Sequence, residues 1–205
     1  MHDLVIILVS HHGDRWIRQC LTSVFGQGGD CDLDVVVVNN APDRTAEIVS
    51  SEFPQVREIR CENRGFAHAN NRALFTSAAR YALFLNVDTE ILEGTFEQLV
   101  RALDERPTVG LAGVRQVSPT GVVAPTMRRF PNAIRSLGEA LGSERYPFRA
   151  TWLGERELDP AMHDRESPCD WVSGSVLVAR REAGQSAGGL PARICLHRQG
   201  AALSV

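Results

Sequence analysis

The chain has 205 residues, a net charge of −3, and 43% hydrophobic and 23% charged residues. This composition is typical of one globular domain and excludes a disordered, collagen-like or coiled-coil chain. The basic pairs Arg128–Arg129 and Arg180–Arg181 are short, so we interpret them as solvated surface charge and expect no nucleic-acid partner. Five scattered cysteines without C-x-x-C spacing predict reduced thiols and no zinc site. The apolar run at residues 4–9 is too short for a signal peptide or a membrane span.

Apolar runs and segments of helical period alternate along the first part of the chain. Strands are predicted over residues 4–9, 35–38, 56–60, 81–85 and 109–117. Helices are predicted over residues 14–24 (with Asp14 as the N-cap), 43–53, 66–79 and 92–105. This alternation predicts an α/β fold with a mostly parallel sheet flanked by helices.

The pattern weakens after about residue 118, where prolines recur. At most one short helix, over residues 133–141, is predicted there. A strand entered through residues 170–178 follows, and residues 180–187 have helical character. Residues 188–205 show no period and contain no acidic residue, so no regular element is predicted in them.

Polar clusters follow three of the predicted strands. They are Ser10-His11-His12, Asn39-Asn40 and Asn86-Val87-Asp88. In parallel sheets, ligands bind at the carboxyl ends of the strands. We therefore expect the three clusters to gather on one rim of the sheet.

The last of these clusters has the donor types of a divalent-cation site. Asn86 and Asp88 are two residues apart, so both side chains point to one side of the strand. Magnesium and manganese prefer such oxygen ligands and commonly bridge a carboxylate and a substrate phosphate. Asparagine and aspartate are also favoured turn residues, and a simple turn is the commoner role of such a tripeptide. For His11 and His12, rim polarity is favoured over metal binding, since no third ligand can be placed beside them.

Residues 63–71 read N-R-G-F-A-H-A-N-N. Gly65 permits a tight turn, and Asn63 can cap it. Asn70 follows in the first turns of a helix whose N-terminus favours anions. Arg64 is either a phosphate contact or an exposed loop residue. Neither a P-loop nor a dinucleotide-binding glycine motif follows the first strand, and no G-x-S-x-G motif occurs, which disfavours an NTPase, a dehydrogenase or an α/β-hydrolase.

Together these segments resemble glycosyltransferase family 2, the inverting transferases with a GT-A fold, and within it the bacterial rhamnosyltransferase-like group. The family patterns V-S-Y-N, V-V-D-N-A-S, N-x-G-F-A-x-A-N-N, L-N-P-D-T and D-W-V-x-G-A correspond, in order, to residues 9–12, 37–42, 63–71, 85–89 and 170–175. The resemblance extends over residues 4 to about 189.

The resemblance implies roles for individual residues. The nucleotide-diphosphate-sugar donor would be bound by Ser10, His11, Asn39, Asn40, Asn63, Arg64, Gly65 and Asn70. Asp88 would be the principal ligand of a magnesium or manganese ion, with Asn86 beside it. Trp171 and Gly174 would lie next to the acceptor, a glycan or a lipid-linked sugar, although a core tryptophan and a bulge glycine are the structural alternatives. Asn39 stands where the family usually has an aspartate that holds the pyrimidine N3–H, and it keeps an acceptor oxygen without the charge.

The resemblance stops after the glycine pair at residues 188–189. The family continues with F-D-E-x-F-F and an E-D-x-D cluster that contains the general base, whereas this chain has no carboxylate side chain after Glu182. We therefore expect an incomplete transferase domain over residues 1–189 and an atypical tail over residues 190–205, from an interrupted gene or reading frame. His197 is the one residue of the tail that can take a proton near neutral pH, and nothing in the sequence positions it.

The function implied is inverting transfer of a sugar from a nucleotide-diphosphate donor to a glycan hydroxyl, in cell-envelope or surface-polysaccharide synthesis. Overall likeness suggests rhamnose. The expected location is the cytoplasm or the inner membrane face. Two alternatives stay open: a non-catalytic remnant that binds nucleotide sugars, and a nucleotidyltransferase. The latter would need a glycine-rich basic loop after the first strand, which residues 10–15 do not supply.

Overall fold

The computed structural model describes residues 1–130, 132–133, 137, 156–157, 160–163, 167–172, 174–190 and 201–203. Its helices are α1 (Asp14–Phe25), α2 (Thr45–Glu52), α3 (Phe66–Leu74), α4 (Thr95–Glu105), α5 (Pro160–His163) and α6 (Arg181–Ser186). Its strands are β1 (Leu4–Ser10), β2 (Leu33–Asn39), β3 (Arg57–Arg60), β4 (Tyr81–Asn86), β5 (Thr89–Ile91), β6 (Leu111–Gly113), β7 (Gln116–Val117), β8 (Val123–Ala124), β9 (Met127–Arg128), β10 (Trp171–Val172), β11 (Val176–Arg180) and β12 (Ala201–Leu203). Apart from residues 133 and 137, the helix predicted over residues 133–141 lies outside the described residues, as does His197.

The main sheet has six strands in the order β3-β2-β1-β4-β11-β6. The first four are parallel to one another. The last two are antiparallel additions, because β11 runs against both β4 and β6. The predicted α/β fold with a mostly parallel sheet and flanking helices is confirmed.

Strand β1 shows why continuous apolar runs become the central strands. Its side chains alternate between the two faces of the sheet. Leu4, Ile6 and Leu8 pack with residues of α1, α2 and α4, whereas Val5 and Ile7 pack on the opposite face with residues of α3. All five side chains are fully buried. Each such burial stabilises the fold by about 1.5–3 kcal/mol, so a strand covered on both faces needs apolar residues throughout.

Several predicted boundaries are wrong. The helix predicted over residues 66–79 ends at Leu74, and the one predicted over residues 92–105 begins at Thr95. Asp14 is the first residue of α1 rather than its N-cap, which is Gly13. The strand predicted over residues 109–117 is divided into β6, in the main sheet, and β7, in a second sheet ordered β5-β12-β7-β8.

The second basic pair is structural, so its interpretation as solvated charge is also wrong. The guanidinium of Arg180 donates hydrogen bonds to the carbonyls of Leu103 and Arg106, at the C-terminal end of α4. Cations are favoured at this end of a helix because its carbonyl groups point outward there. Arg181 donates to the carbonyl of Ala79 over 2.6 Å. The two arginines therefore join the end of β11 to the neighbouring elements.

Five short elements lie where no regular structure is predicted: β5, β8, β9, α5 and β12. Strand β12 pairs parallel to β5 and antiparallel to β7. Three residues are too few to show a period in the sequence, so the pairing has no local signal. Among the helices described, none is long and apolar enough to cross a membrane.

Candidate functional site

A cleft of about 520 Å³ opens at the carboxyl ends of β1, β2 and β4. A volume of this size suits a small-molecule ligand. The cleft is lined by Val9, His11, His12, Gly13, Trp16, Asn40, Asn63, Phe66, Asn86, Val87 and Asp88. Side chains from all three predicted polar clusters therefore meet at one site, as the strand topology requires.

His11 is the centre of a hydrogen-bonded wall of the cleft. Its Nδ1 lies 3.0 Å from Oδ1 of Asn40, and its Nε2 lies 3.5 Å from Nδ2 of Asn63. Oδ1 of Asn63 accepts from the backbone N–H of Gly65 over 3.2 Å, which orients the Asn63 amide. Both histidine contacts are satisfied by the neutral tautomer that carries its proton on Nδ1. The wall thus links the ends of β1 and β2 to the loop before α3.

Three of the predicted nucleotide-binding residues lie behind the cleft lining. Ser10 is fully buried, and its hydroxyl lies 2.8 Å from that of Thr45. Asn39 is 6% exposed, and its Oδ1 accepts a backbone N–H two residues further on. Asn70 is fully buried, and its Nδ2 donates to the carbonyl of Phe66. The three side chains lie beneath the residues that line the cleft. Direct contact with a nucleotide stays a prediction for each of them.

The remaining predicted residues also lie off the lining. Arg64 is exposed and forms an ion pair of 2.7 Å with Glu62. Trp171 is 38% exposed, with the guanidinium of Arg128 5.0 Å from the centre of its ring. Gly174 lies in the turn that precedes β11, which begins opposite the carboxyl end of β4. The acceptor-side roles of Trp171 and Gly174 stay predictions.

The segment containing Asn86 and Asp88 is held by its backbone. The N–H of Asn86 donates to the carbonyl of Ser175 over 3.1 Å, and the carbonyl of Asn86 lies 3.8 Å from Sγ of Cys20. Burial, together with the carboxylates of Asp88 and Glu90, raises the pKa of the Cys20 thiol. The thiol therefore stays protonated at neutral pH and can donate to the carbonyl.

The donor set fits a cation shared with a phosphorylated substrate. Asp88 and Asn86 both line the cleft, where Asp88 can supply a carboxylate and Asn86 an amide oxygen. Within the described part of the chain, no three or more His, Cys, Asp or Glu side chains are grouped so that they could hold a metal ion by themselves. Magnesium is commonly held by one or two carboxylates plus substrate phosphates. The residues present fit that arrangement and do not fit a metal cage built by the protein alone.

Two aromatic residues line the cleft: Trp16 was not predicted as a site residue, whereas Phe66 lies within the segment 63–70 that the resemblance assigns to the donor pocket. Trp16 is 39% exposed and is contacted by the guanidinium of Arg15, which lies 4.8 Å from the centre of its ring. Phe66 is the first residue of α3. Both occupy the first turn of a helix that begins near the carboxyl end of a strand, and this placement is the sequence signal that would have found Trp16. Aromatic faces at such positions can pack against a base or a sugar ring.

Comparison with known sequences supports the family suggested by the motifs. The model of the family described as "Glycosyl transferase family 2" matches residues 5–170. The N-acetylglucosaminyl-diphospho-decaprenol L-rhamnosyltransferase of Mycobacterium tuberculosis is 27% identical over 176 residues. The match covers 78% of this chain and 56% of that protein, so the chain spans little more than half of the relative's length.

Solved structures show the same fold. The S. aureus TarS fragment 1–349 has a TM-score of 0.63 at 15% identity, covering 93% of this chain and 51% of that one. In its complex with UDP-GlcNAc the same fragment has a TM-score of 0.53 at 20% identity, and the match covers 64% of this chain and 38% of that one. The mannosyltransferase PcManGT of Pyrobaculum calidifontis, in complex with GDP-Man and Mn²⁺, has a TM-score of 0.56 at 19% identity. The match covers 95% of this chain and 50% of that one. The sequence resemblance and the expected fold are both confirmed.

Proposed function

The chain belongs to glycosyl transferase family 2, and from this we propose that it binds a nucleotide-diphosphate sugar in the cleft and transfers the sugar to an acceptor hydroxyl. The observation that carries the proposal is the meeting of Asn40, Asn63 and Asp88 at the carboxyl ends of three parallel strands. The nucleotide-sugar complexes of the two structural relatives support the choice of ligand.

Asp88 and Asn86 hold a divalent cation together with the donor diphosphate in this proposal. The cation, when bound, neutralises the negative charge that develops on the departing diphosphate. The N–H of Asn86 donates to the carbonyl of Ser175, and the thiol of Cys20 donates to the carbonyl of Asn86. These two bonds keep the two ligands in place before the donor sugar arrives. The ring of His11 and the amide of Asn63 also line the cleft.

The acceptor proposed is a lipid-linked glycan of the cell envelope, with a rhamnosyl or another hexosyl unit as the transferred sugar. The name of the mycobacterial relative supports this class. Trp171 and Gly174 are proposed to face the acceptor. Gly174 directly precedes Ser175, whose carbonyl binds Asn86, so this segment adjoins the proposed donor site.

A second candidate is nucleotide-sugar binding without transfer. It is favoured by the cleft lining, in which Asp88 is the one carboxylate among the described residues and is already assigned to the cation. Direct displacement at a sugar carbon needs a base beside the attacking hydroxyl. An assay of donor hydrolysis and of transfer to lipid-linked acceptors distinguishes the two candidates, since the second predicts binding with no turnover.

Calorimetric titration with UDP, dTDP and GDP, with and without Mn²⁺, tests the proposed donor site. Asp88→Asn removes one carboxylate charge with little change of volume. We expect it to weaken nucleotide-diphosphate binding in Mn²⁺ by at least about tenfold, or about 1.4 kcal/mol, and to leave binding in EDTA unchanged.

Glu90→Gln is the matched control, because Glu90 is exposed, lies two residues further on and contacts Gln19 instead of the cleft. Its affinity should equal that of the wild type. An Asp88→Asn affinity equal to the wild-type value would remove Asp88 from the site, and a wild-type protein that binds none of the nucleotides would contradict the proposed function.

A further inference from the structure

A buried polar pair lies beside the cleft. Gln116, the first residue of β7, is 3% exposed, and Ser175, just before β11, is 5% exposed. Nε2 of Gln116 donates to Oγ of Ser175 over 2.8 Å, and Oγ of Ser175 donates to Oε1 of Gln116 over 3.0 Å. A buried amide is costly unless it is hydrogen-bonded. The contact therefore fixes both residues although they lie 59 positions apart in the chain.

Ser175 connects this pair to the proposed cation ligands. Its side chain binds Gln116, and its carbonyl accepts the N–H of Asn86 over 3.1 Å. Asn86 is the last residue of β4, so this bond lies where the chain leaves the strand and turns toward Asp88. A continuous series of hydrogen bonds thus runs from β7 through Ser175 to the cleft.

We propose that Gln116 is a positioning residue for Asn86 and Asp88 and acts through Ser175. The pair restrains the backbone of Ser175, and Ser175 restrains the point at which β4 ends. The cleft-facing direction of the Asn86–Asp88 segment follows from that restraint. The test of this inference by nucleotide affinity rests on the proposed function. The test by amide hydrogen exchange does not depend on it.

Three variants separate positioning from stability. Ser175→Ala removes the side-chain partner of the buried Gln116, and Gln116→Met removes one hydrogen bond of Ser175. Each change is expected to cost about 1–3 kcal/mol of unfolding free energy. The double variant replaces both partners with apolar groups, and such a replacement can be nearly neutral for stability. We therefore expect the double variant to unfold at close to the wild-type urea concentration.

The decisive measurement is amide hydrogen exchange at Asn86 in the ligand-free double variant, followed by NMR. We expect exchange at least tenfold faster than in the wild type. With UDP or GDP as the probe, we also expect Mn²⁺-dependent affinity to fall at least fivefold while affinity in EDTA is unchanged. Thr120→Val is the control, since it breaks an exposed hydroxyl pair with Ser118, close to β7, that does not contact Asn86.

The proposal is overturned if the double variant exchanges its Asn86 amide within twofold of the wild-type rate. It is also overturned if the wild type binds a nucleotide in Mn²⁺ and the double variant binds it equally well. If the wild type binds no nucleotide and the Asn86 amide still exchanges faster in the double variant, the proposed function fails and the positioning role is supported.

Discussion

At the scale of single residues, Gly13 of the cleft lining packs tightly against Ser10 and Val87. A Cβ added to Gly13 would lie 2.7 Å from Oγ of Ser10 and 2.8 Å from Cγ2 of Val87. Both distances are below ordinary contact, so only hydrogen fits there. The turn after β1 can therefore pack against the residue that lies between Asn86 and Asp88.

Gly13→Ala is expected to lower the free energy of unfolding by about 1–3 kcal/mol, because overpacking forces the backbone or its neighbours to shift. Urea unfolding measures the loss. Gly28→Ala is the control, since no atom lies within 4 Å of the added Cβ, and its effect should stay within about 0.5 kcal/mol. Equal losses in the two variants would show that the contact with Val87 is not tight.

The sequence predicts that residues at the strand ends share a site. It does not predict the positions of residues that are placed by tertiary packing. His11, Asn40 and Asp88 follow apolar runs, and the topology of a parallel sheet alone brings them to one rim. The burial of Ser10 beneath that rim depends on Thr45, 35 residues away. No local pattern contains that information.

At the scale of elements, Asn71 of α3 holds the segment that follows α6. Nδ2 of Asn71 donates to the carbonyl of Leu190 over 3.0 Å, and its Oδ1 accepts the N–H of Leu190 over 2.8 Å. Gly189 has φ +89°, and a Cβ there would lie 2.5 Å from Oδ1 of Asn71. Gly188 has φ +80° with no atom within 4 Å of the added Cβ. Both glycines have a positive φ, which would strain an alanine at either position. Only an alanine at position 189 would also meet the side chain of Asn71.

Comparing Gly189→Ala with Gly188→Ala therefore isolates the clamp formed by Asn71. Each alanine costs about 1–2 kcal/mol for its left-handed backbone, and only Gly189→Ala also displaces the amide. We expect the Leu190 amide to exchange at least about tenfold faster in Gly189→Ala than in Gly188→Ala, a difference of about 1.4 kcal/mol. Asn71→Leu should reproduce the faster exchange. Equal rates in the two alanine variants would show that Asn71 does not hold this segment.

As with single residues, some strands could be predicted from the sequence and others could not. The four parallel strands could be predicted because strands buried on both faces need continuous apolar runs. The separation of residues 109–117 into β6 and β7 could not, because the partners of the two halves lie in different sheets: β11 for β6, and β8 and β12 for β7. The antiparallel direction of β11 likewise has no signature in its own five residues.

At the scale of the whole molecule, the cleft and the ion pairs of Arg57 and Arg80 lie at opposite ends of the parallel strands. The cleft occupies the carboxyl ends of the parallel strands. At their amino ends, Arg80 pairs with Asp3 and Asp104, and Arg57 binds Asp34 through two hydrogen bonds of 3.0 and 2.8 Å. β1 has seven residues, and a strand of that length separates the two ends by about 23 Å. Substitutions at the amino end should therefore change stability without changing nucleotide affinity.

Arg57→Gln tests this separation together with the acid sensitivity of the fold. Burial raises the pKa of Asp34, but the hydrogen bonds and the charge of Arg57 outweigh it, so the pKa lies below its usual value. A carboxyl whose pKa is lowered by folding contributes stability above its unfolded pKa and loses it as the pH falls. In urea unfolding at neutral pH, the free energy of unfolding of the wild type should exceed that of Arg57→Gln by about 1 kcal/mol. The difference is small because the arginine is partly exposed.

That difference should shrink as the pH falls below the usual aspartate pKa of about 3.9 and Asp34 becomes protonated. Arg60→Gln is the control, because Arg60 pairs with Glu58 on its own strand and joins no second strand. Its stability difference from the wild type should be smaller and should not follow the titration of Asp34. A constant difference between wild type and Arg57→Gln across this pH range would contradict the role of the Asp34 pair. A weaker nucleotide affinity in Arg57→Gln would contradict the independence of the two ends, because no group that lines the cleft touches Arg57 among the residues that the structure describes.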